Sequence, residues 1–215
     1  MDHAPTVLFQ CRSSVNAKVN QMIYVRDDDV LLKRMAHTDA AGEFVNVHNI
    51  IEKYGYTHCP ALLTNDLNEF PEVIEFIRYK TQQGKMIPQL HGSSHIDYAK
   101  LSVKEIQEDY RRCQDWFLSN IGVRFTKHYT PWGAGGRRKD GTPMVNGTHI
   151  APTANAMGIS VVDMYKPLDP RHILSDTETS FSKYDGRTIV IHWWFSPEIL
   201  DQALAKLKEA ENGTS

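Results

Sequence analysis

The sequence predicts an α/β fold with a mainly parallel sheet, and three observations predict it. Short β-rich runs alternate with longer amphipathic ones, which is the pattern of repeated βα units. Acidic and imidazole residues fall where the β-rich runs end, which is where parallel α/β folds place their functional side chains. The length, 215 residues, suits one α/β barrel with a large core. A single domain over 1–215, with its folded core from about residue 20 to residue 211, is the expectation.

In chain order, "QMIYVR" reads as a strand that leads into the acidic triplet "DDD". "EFVNVHNIIEKYG" carries Phe44, Val47, Ile50 and Ile51 at helical spacing and stops at Gly55. "HCPALLT" is a second strand, and "EFPEVIEFIRYKTQQG" is a helix with Val73, Ile74 and Ile77 on one face. "KMIPQLH" is a strand shortened by its proline. "LSVKEIQEDYRRCQDWFLSNIG" opens with Ser102 and, three residues on, Glu105, which together form a capping box. "RFTKHYT" runs as a strand into the glycine-rich "PWGAGGRRKDG" loop. A short helix follows in "HIAPTANAMG", then strands in "ISVVDMY" and "TIVIHWW". The chain closes with an amphipathic helix in "SPEILDQALAKLKEA", with Pro197 in its first turn. The last residues, "ENGTS", read as disordered.

Composition excludes several classes of partner. The formal net charge of -2 supplies no global attraction for nucleic acid or an anionic membrane, and no run is long enough to span a bilayer. Cys11, Cys59 and Cys113 are odd in number and outside any CxxC pattern, so neither a disulfide framework nor a thiolate metal site is expected. The N-terminal stretch has no signal-like organisation, and a cytoplasmic location is the expectation. The glycine-rich loop lacks the third glycine of a dinucleotide fingerprint, and Thr142 stands where a phosphate-binding loop needs Lys.

The polar residues at strand ends form a set. The first strand ends in Asp27, Asp28 and Asp29; the "MIPQL" strand ends in His91 and His95 of "HGSSH"; the "SVV" strand ends in Asp163; and the "TIVI" strand ends in His192. Two histidines four residues apart share a face if their segment takes a helical turn. With a carboxylate from elsewhere they complete a two-His, one-carboxylate set for a divalent ion. Strict strand alternation puts Asp27 and Asp29 on one face with Val25 and Asp28 on the other. Adjacent carboxylates of the triplet therefore reach one site only if the strand breaks near Asp28.

These motifs, in this order from about residue 20 to residue 195, resemble the polysaccharide deacetylase family of the NodB-homology, carbohydrate esterase family 4 type. That family has a distorted (β/α) barrel. The paired Asp of "DDDV", the H-x-x-x-H of His91 and His95, the "YTPWG" loop, and Val190 with His192 in "IVIHWW" carry the resemblance. It implies a metal-dependent hydrolase that removes an N-acetyl or similar acyl group from a carbohydrate. In that reading Asp28 is the general base, Asp29, His91 and His95 are ligands of one divalent ion, and His192 is the general acid, with Asp163 orienting it. Zinc is the first choice of metal, with iron, manganese, cobalt and nickel as the others. Asp27 with Asp28 is the competing frame for the working pair.

The resemblance puts Tyr129, Pro131 and Trp132 in the substrate-binding loop, with a backbone N–H near Trp132 available to an oxyanion. The family has Arg where this chain has Tyr129, so Arg26, Arg137 or Arg138 substitutes for it or the base is tuned differently. One of Trp193 and Trp194 is expected in the core, and His48 and His128 are candidates for the cleft wall. The implied substrate is an N-acetylated sugar of a surface polysaccharide or O-antigen precursor. A catalytically degenerate carbohydrate-binding protein of the same fold is the alternative. A two-metal phosphoesterase on a similar barrel would need more His and Asp at strand ends than the sequence offers.

Overall fold

Among the described residues, six parallel strands lie side by side in the order β5-β4-β3-β2-β1-β6. They are β1 (Tyr24–Val30), β2 (Thr57–Leu63), β3 (Gln89–Gly92), β4 (Lys127–His128), β5 (Ser160–Val161) and β6 (Thr188–His192). This computed structural model describes residues 23–35, 39–136, 142, 146–162, 169–175 and 188–213. The order is the cyclic order of a barrel cut between β5 and β6, with the last strand returning to lie beside the first. No β5–β6 ladder is present among the described residues. This is the mainly parallel α/β architecture of a distorted barrel. All carboxyl ends of the strands, and the polar residues on them, come to one rim.

Among the described residues, seven α-helices connect and cover the strands: α1 (Ala40–Lys53), α2 (Thr64–Leu67), α3 (Pro71–Gln82), α4 (Val103–Asn120), α5 (Ile150–Asn155), α6 (Pro170–Ser175) and α7 (Pro197–Gly213). Phe44, Val47 and Ile51 face inward from α1, and Val73, Ile74 and Ile77 from α3, as their spacing predicts; Ile50 is only partly buried. α4 begins with the capping box, the Ser102 hydroxyl accepting from Glu105 N–H while the Glu105 carboxylate accepts from Ser102 N–H at 2.7 Å. One apolar cluster packs α1 and α7 onto β1 and β6 through Val25, Val47, Ile51, Ile189, Ile191 and Leu204. Each such side chain contributes about 1.5–3 kcal/mol on burial, which holds the two strands bearing Asp28 and His192 together.

Several elements depart from the sequence reading. β1 runs to Val30, one residue past the acidic triplet in which it is expected to end. β3 starts only after Pro88, which has no N–H to give a ladder, and β4 keeps just two paired residues. α2 and α6 are too short to show a period, so patterning missed them. The "ENG" segment, expected to be disordered, is the last turn of α7. Burial of Leu207 and the Lys208–Glu211 ion pair at 3.2 Å support that turn. No helix among the described residues is long and apolar enough to cross a membrane.

Candidate active site

The end of β1 is built from alternation followed by a bulge. Arg26 and Asp28 share one face of the pleat, and Val25 and Asp27 the other. Between Asp27 and Val30 the register against β2 advances three residues for two, so one residue is extra. Asp29 takes it up with φ +61, a left-handed conformation that Asp tolerates better than most residues. The strand thus breaks at Asp29, one residue beyond the place expected from alternation. Two donors hold the kink by its carbonyl: Leu32 N–H at 2.6 Å and the Trp193 indole N–H at 3.0 Å.

Asp27 does not reach the rim. It is fully buried on the α1 face, with Oδ2 3.3 Å from His58 Nε2. His58 Nδ1 meets His48 Nδ1 at 3.2 Å, and His48 Nε2 lies 3.3 Å from Glu52, which pairs with Lys80 at 2.5 Å. Burial, then the charges of Asp28 and Asp29, push the Asp27 carboxyl well up. The frame that pairs Asp27 with Asp28 is therefore the weaker one, because Asp27 is committed to this buried chain. His48 and His128, candidates for the cleft wall, are fully buried and line nothing.

Asp28 is held on the opposite face. Arg26 donates from Nε to Asp28 Oδ1 at 2.6 Å and from Nη2 to Oδ2 at 2.7 Å. The guanidinium lies over the Tyr129 ring, 4.0 Å from its centroid. Among the described residues Arg26 is thus the arginine that holds Asp28, and two-residue spacing on one strand face is the signal for it. Tyr129 is 5% exposed and Pro131 is buried, so neither offers a ligand much surface.

His91 is the next-to-last residue of β3 and His95 follows a tight bend, not the helical turn that the four-residue spacing suggested. Gly92 makes the bend with φ +139, and a Cβ there would lie 2.8 Å from Ser94 O. The bend brings His91 Nε2 to 2.7 Å and His95 Nε2 to 3.0 Å from the same oxygen, Asp29 Oδ1. One ligand atom from each of Asp29, His91 and His95 lies within 4.8 Å of the others, which fits a two-His, one-carboxylate set. His91 Nε2, the ring nitrogen nearest Asp29, is buried with no aligned hydrogen bond, as suits an atom that gives its lone pair to a cation. Burial alone would raise the Asp29 carboxyl, but the two rings beside it hold it well below the usual carboxylate range.

His192 completes the rim from β6, in register beside Asp28, with Nε2 3.7 Å from Asp29 Oδ2. Its ring stacks on Trp194 with centroids 4.8 Å apart, while Trp193 is fully buried and is the core member of the pair. Trp132, with φ +60, is 62% exposed and meets the His95 ring edge-on at 4.7 Å. On the other side of His95 a cleft of 530 Å³ is lined by Leu32, Lys33, Asp66 and Ser94. Asp163, Arg137, Arg138 and Cys11 lie outside the described residues. Sequence reasoning missed Trp193 as a clamp on Asp29, because only the folded chain brings them together.

No protein-family model and no curated protein matches the chain. Solved structures do. A peptidoglycan deacetylase from Bacillus subtilis, PdaC, superposes with a TM-score of 0.58 at 20% identity, over 89% of this chain and 85% of that one. A family 4 carbohydrate esterase from Streptomyces lividans gives 0.60 at 14% identity, over 90% of each chain. A family 4 pseudoenzyme from Bacillus anthracis gives 0.59 at 12% identity, over 88% of this chain and 61% of that one. Strand order, rim and superposition agree, and the chain has the NodB-homology fold of the carbohydrate esterase family 4 deacetylases.

Proposed function

We propose that this protein is a metal-dependent hydrolase that removes an N-acetyl or similar acyl group from a carbohydrate. The observation that carries the reading is the convergence of Asp29, His91 and His95 beside an Arg-held Asp28, with His192 across from it. Asp29, His91 and His95 hold the divalent ion, zinc before the other candidates. When bound, the ion would polarise the amide carbonyl and lower the pKa of a water beside it towards about 7. Asp28 takes the proton of the attacking water, and its two bonds from Arg26 aim the carboxylate. His192 gives a proton to the leaving amine as the C–N bond breaks, yielding acetate and a free amino sugar. Proton transfer by each is worth about 100-fold to 10,000-fold. Exposed Trp132 offers an indole face to the apolar C–H face of a sugar ring, and a backbone N–H near it serves the oxyanion.

For substrate we propose a sugar of a surface polysaccharide precursor, O-antigen units included, met in a reducing compartment. Cys59 and Cys113 are free and buried, as suits such a compartment. Acetate release from N-acetylated nucleotide sugars and oligosaccharides, measured alongside metal analysis, tests the reading. The expected result is one divalent ion per chain, lost in His91→Ala and His95→Ala, with Asp28→Asn keeping the ion but releasing no acetate. Full activity in Asp28→Asn would sink the mechanism. Sugar binding with ion bound and no acetate from any N-acetylated sugar would favour the degenerate, carbohydrate-binding reading, which the pseudoenzyme among the similar structures motivates.

A further inference from the structure

The bend that carries His95 is held from behind by a carboxylate that no metal-ligand motif includes. Asp109 sits on α4 and is 1% exposed. Its Oδ2 accepts the Ser93 backbone N–H at 3.3 Å and the Tyr98 hydroxyl proton, while Oδ1 accepts from Arg112 Nη2 at 2.7 Å. Tyr98 is fully buried, edge-on to His128 at 4.5 Å, and its ring closes over Gly92. From the other side, Asn65 on α2 donates its backbone N–H to Ser93 O at 2.8 Å and its amide to Ser94 Oγ at 3.0 Å.

We propose that Asp109 and Tyr98 are positioning residues for the metal-binding pair, locking residues 93–95 in the bend that sets His95 Nε2 beside His91 Nε2. The inference rests on reading Asp29, His91 and His95 as a divalent-ion site. Its physical basis is preorganisation. Gly92 is free to rotate, and a loop of Gly, Ser and Ser has little apolar surface to pack, so something else must restrict it. If only a fraction of molecules hold His95 in place, the apparent dissociation constant for the ion rises by the inverse of that fraction. A buried carboxylate that accepts both the Ser93 N–H and the Tyr98 hydroxyl ties the bend to α4, because each charge-assisted bond is stronger than a neutral one. Arg112 reaches Asp109 from the solvent side and does not touch the loop, so it serves as an internal control.

The test is calorimetric titration of Zn2+ into the chelator-stripped full chain, with Co2+ absorption reporting ligand geometry. Tyr98→Phe and Asp109→Asn are expected to weaken Zn2+ binding by about 10-fold to 100-fold, the range for partners behind metal ligands. Arg112→Ala is expected to bind as wild type does. So is Phe117→Leu, which loosens the α4 core without touching the loop. Should Asp109→Asn fail to fold, Tyr98→Phe, which removes one oxygen, decides the matter alone. Wild-type affinity in Tyr98→Phe, or an equal loss in Phe117→Leu, overturns the proposal while leaving the metal site standing. Absence of Zn2+ and Co2+ binding in the wild type overturns the metal reading itself, and this proposal with it.

Discussion

Arg26 grips Asp28 with two parallel hydrogen bonds of 2.6 and 2.7 Å from two residues earlier on the same strand, beneath a rim where Asp29, His91, His95 and His192 meet. Both partners are almost wholly buried, so the pair is a fixed geometry and not a surface contact that solvent exchanges. Lys at this position keeps the charge and loses the planar fork. Arg26→Lys is therefore expected to lower kcat about 100-fold, the cost of a misplacement of about 1 Å, with KM and bound metal unchanged. Arg26→Ala leaves a buried carboxylate without its partner, and urea denaturation should show a loss of about 3–5 kcal/mol. Near-normal kcat in Arg26→Lys would show that Asp28 does not depend on the fork.

Gly92 is the hinge of the metal-ligand loop. Alanine there meets Ser94 O at 2.8 Å and the Tyr98 ring at 3.2 Å, in a backbone region with φ +139 that other residues avoid. Gly92→Ala should cost about 1–3 kcal/mol from the backbone strain alone. The variant should also lose metal. Thermal unfolding with metal content measured on the same sample checks both, and a variant with normal stability and full metal would contradict this account of the bend.

Trp132 is the exposed aromatic beside the candidate metal ligands, and it supports no core. Trp132→Ala should leave thermal stability unchanged and raise KM for an N-acetylated oligosaccharide by up to about tenfold, the scale of one aromatic contact. Steady-state kinetics read this directly. A fall in kcat with unchanged KM would mean that the loop backbone, not the indole, makes the contribution.

Stability should fall on mild acidification. Burial first, then the Lys80 charge, pushes the His48 imidazole down to about 4; burial first, then His91, pushes His128 down to about 3. His58 is also driven well down by burial and by His48. An unfolded His titrates near pH 6.5, so between about pH 6.5 and 4 the unfolded chain binds protons that the folded one refuses. Stability contributed by these neutral rings is thus present above that window and is lost on descending through it. Asp27, raised by burial, acts with the opposite sign, but it is one group against three. Urea midpoints measured from pH 7 to pH 4.5 should decline, and less steeply in His48→Gln; a flat profile would refute the assignment.

Much of this architecture is legible in the chain. The βα alternation, the α1 and α3 faces and the capping box at Ser102 and Glu105 follow from local periodicity and local hydrogen bonding. The strand-end positions of Asp28, Asp29, His91, His95 and His192 follow from the same pattern. Short or bent pieces do not: α2 is too brief to have a period, and the His91–His95 bend owes its shape to Gly92 and Asp109, not to the spacing of its ligands.

The sequence by itself determined which side chains stand at strand ends, because alternation and spacing are local properties of the chain. Only the tertiary structure decided how the acidic triplet divides its work. Asp27 turns into the α1 layer against His58, Arg26 claims Asp28, and the bulge at Asp29, pinned by Trp193 from the far end of the chain, swings the third carboxylate towards two histidines. The Asp27–His58 and Trp193–Asp29 contacts join residues distant in sequence, and a one-residue bulge reverses which face a side chain takes.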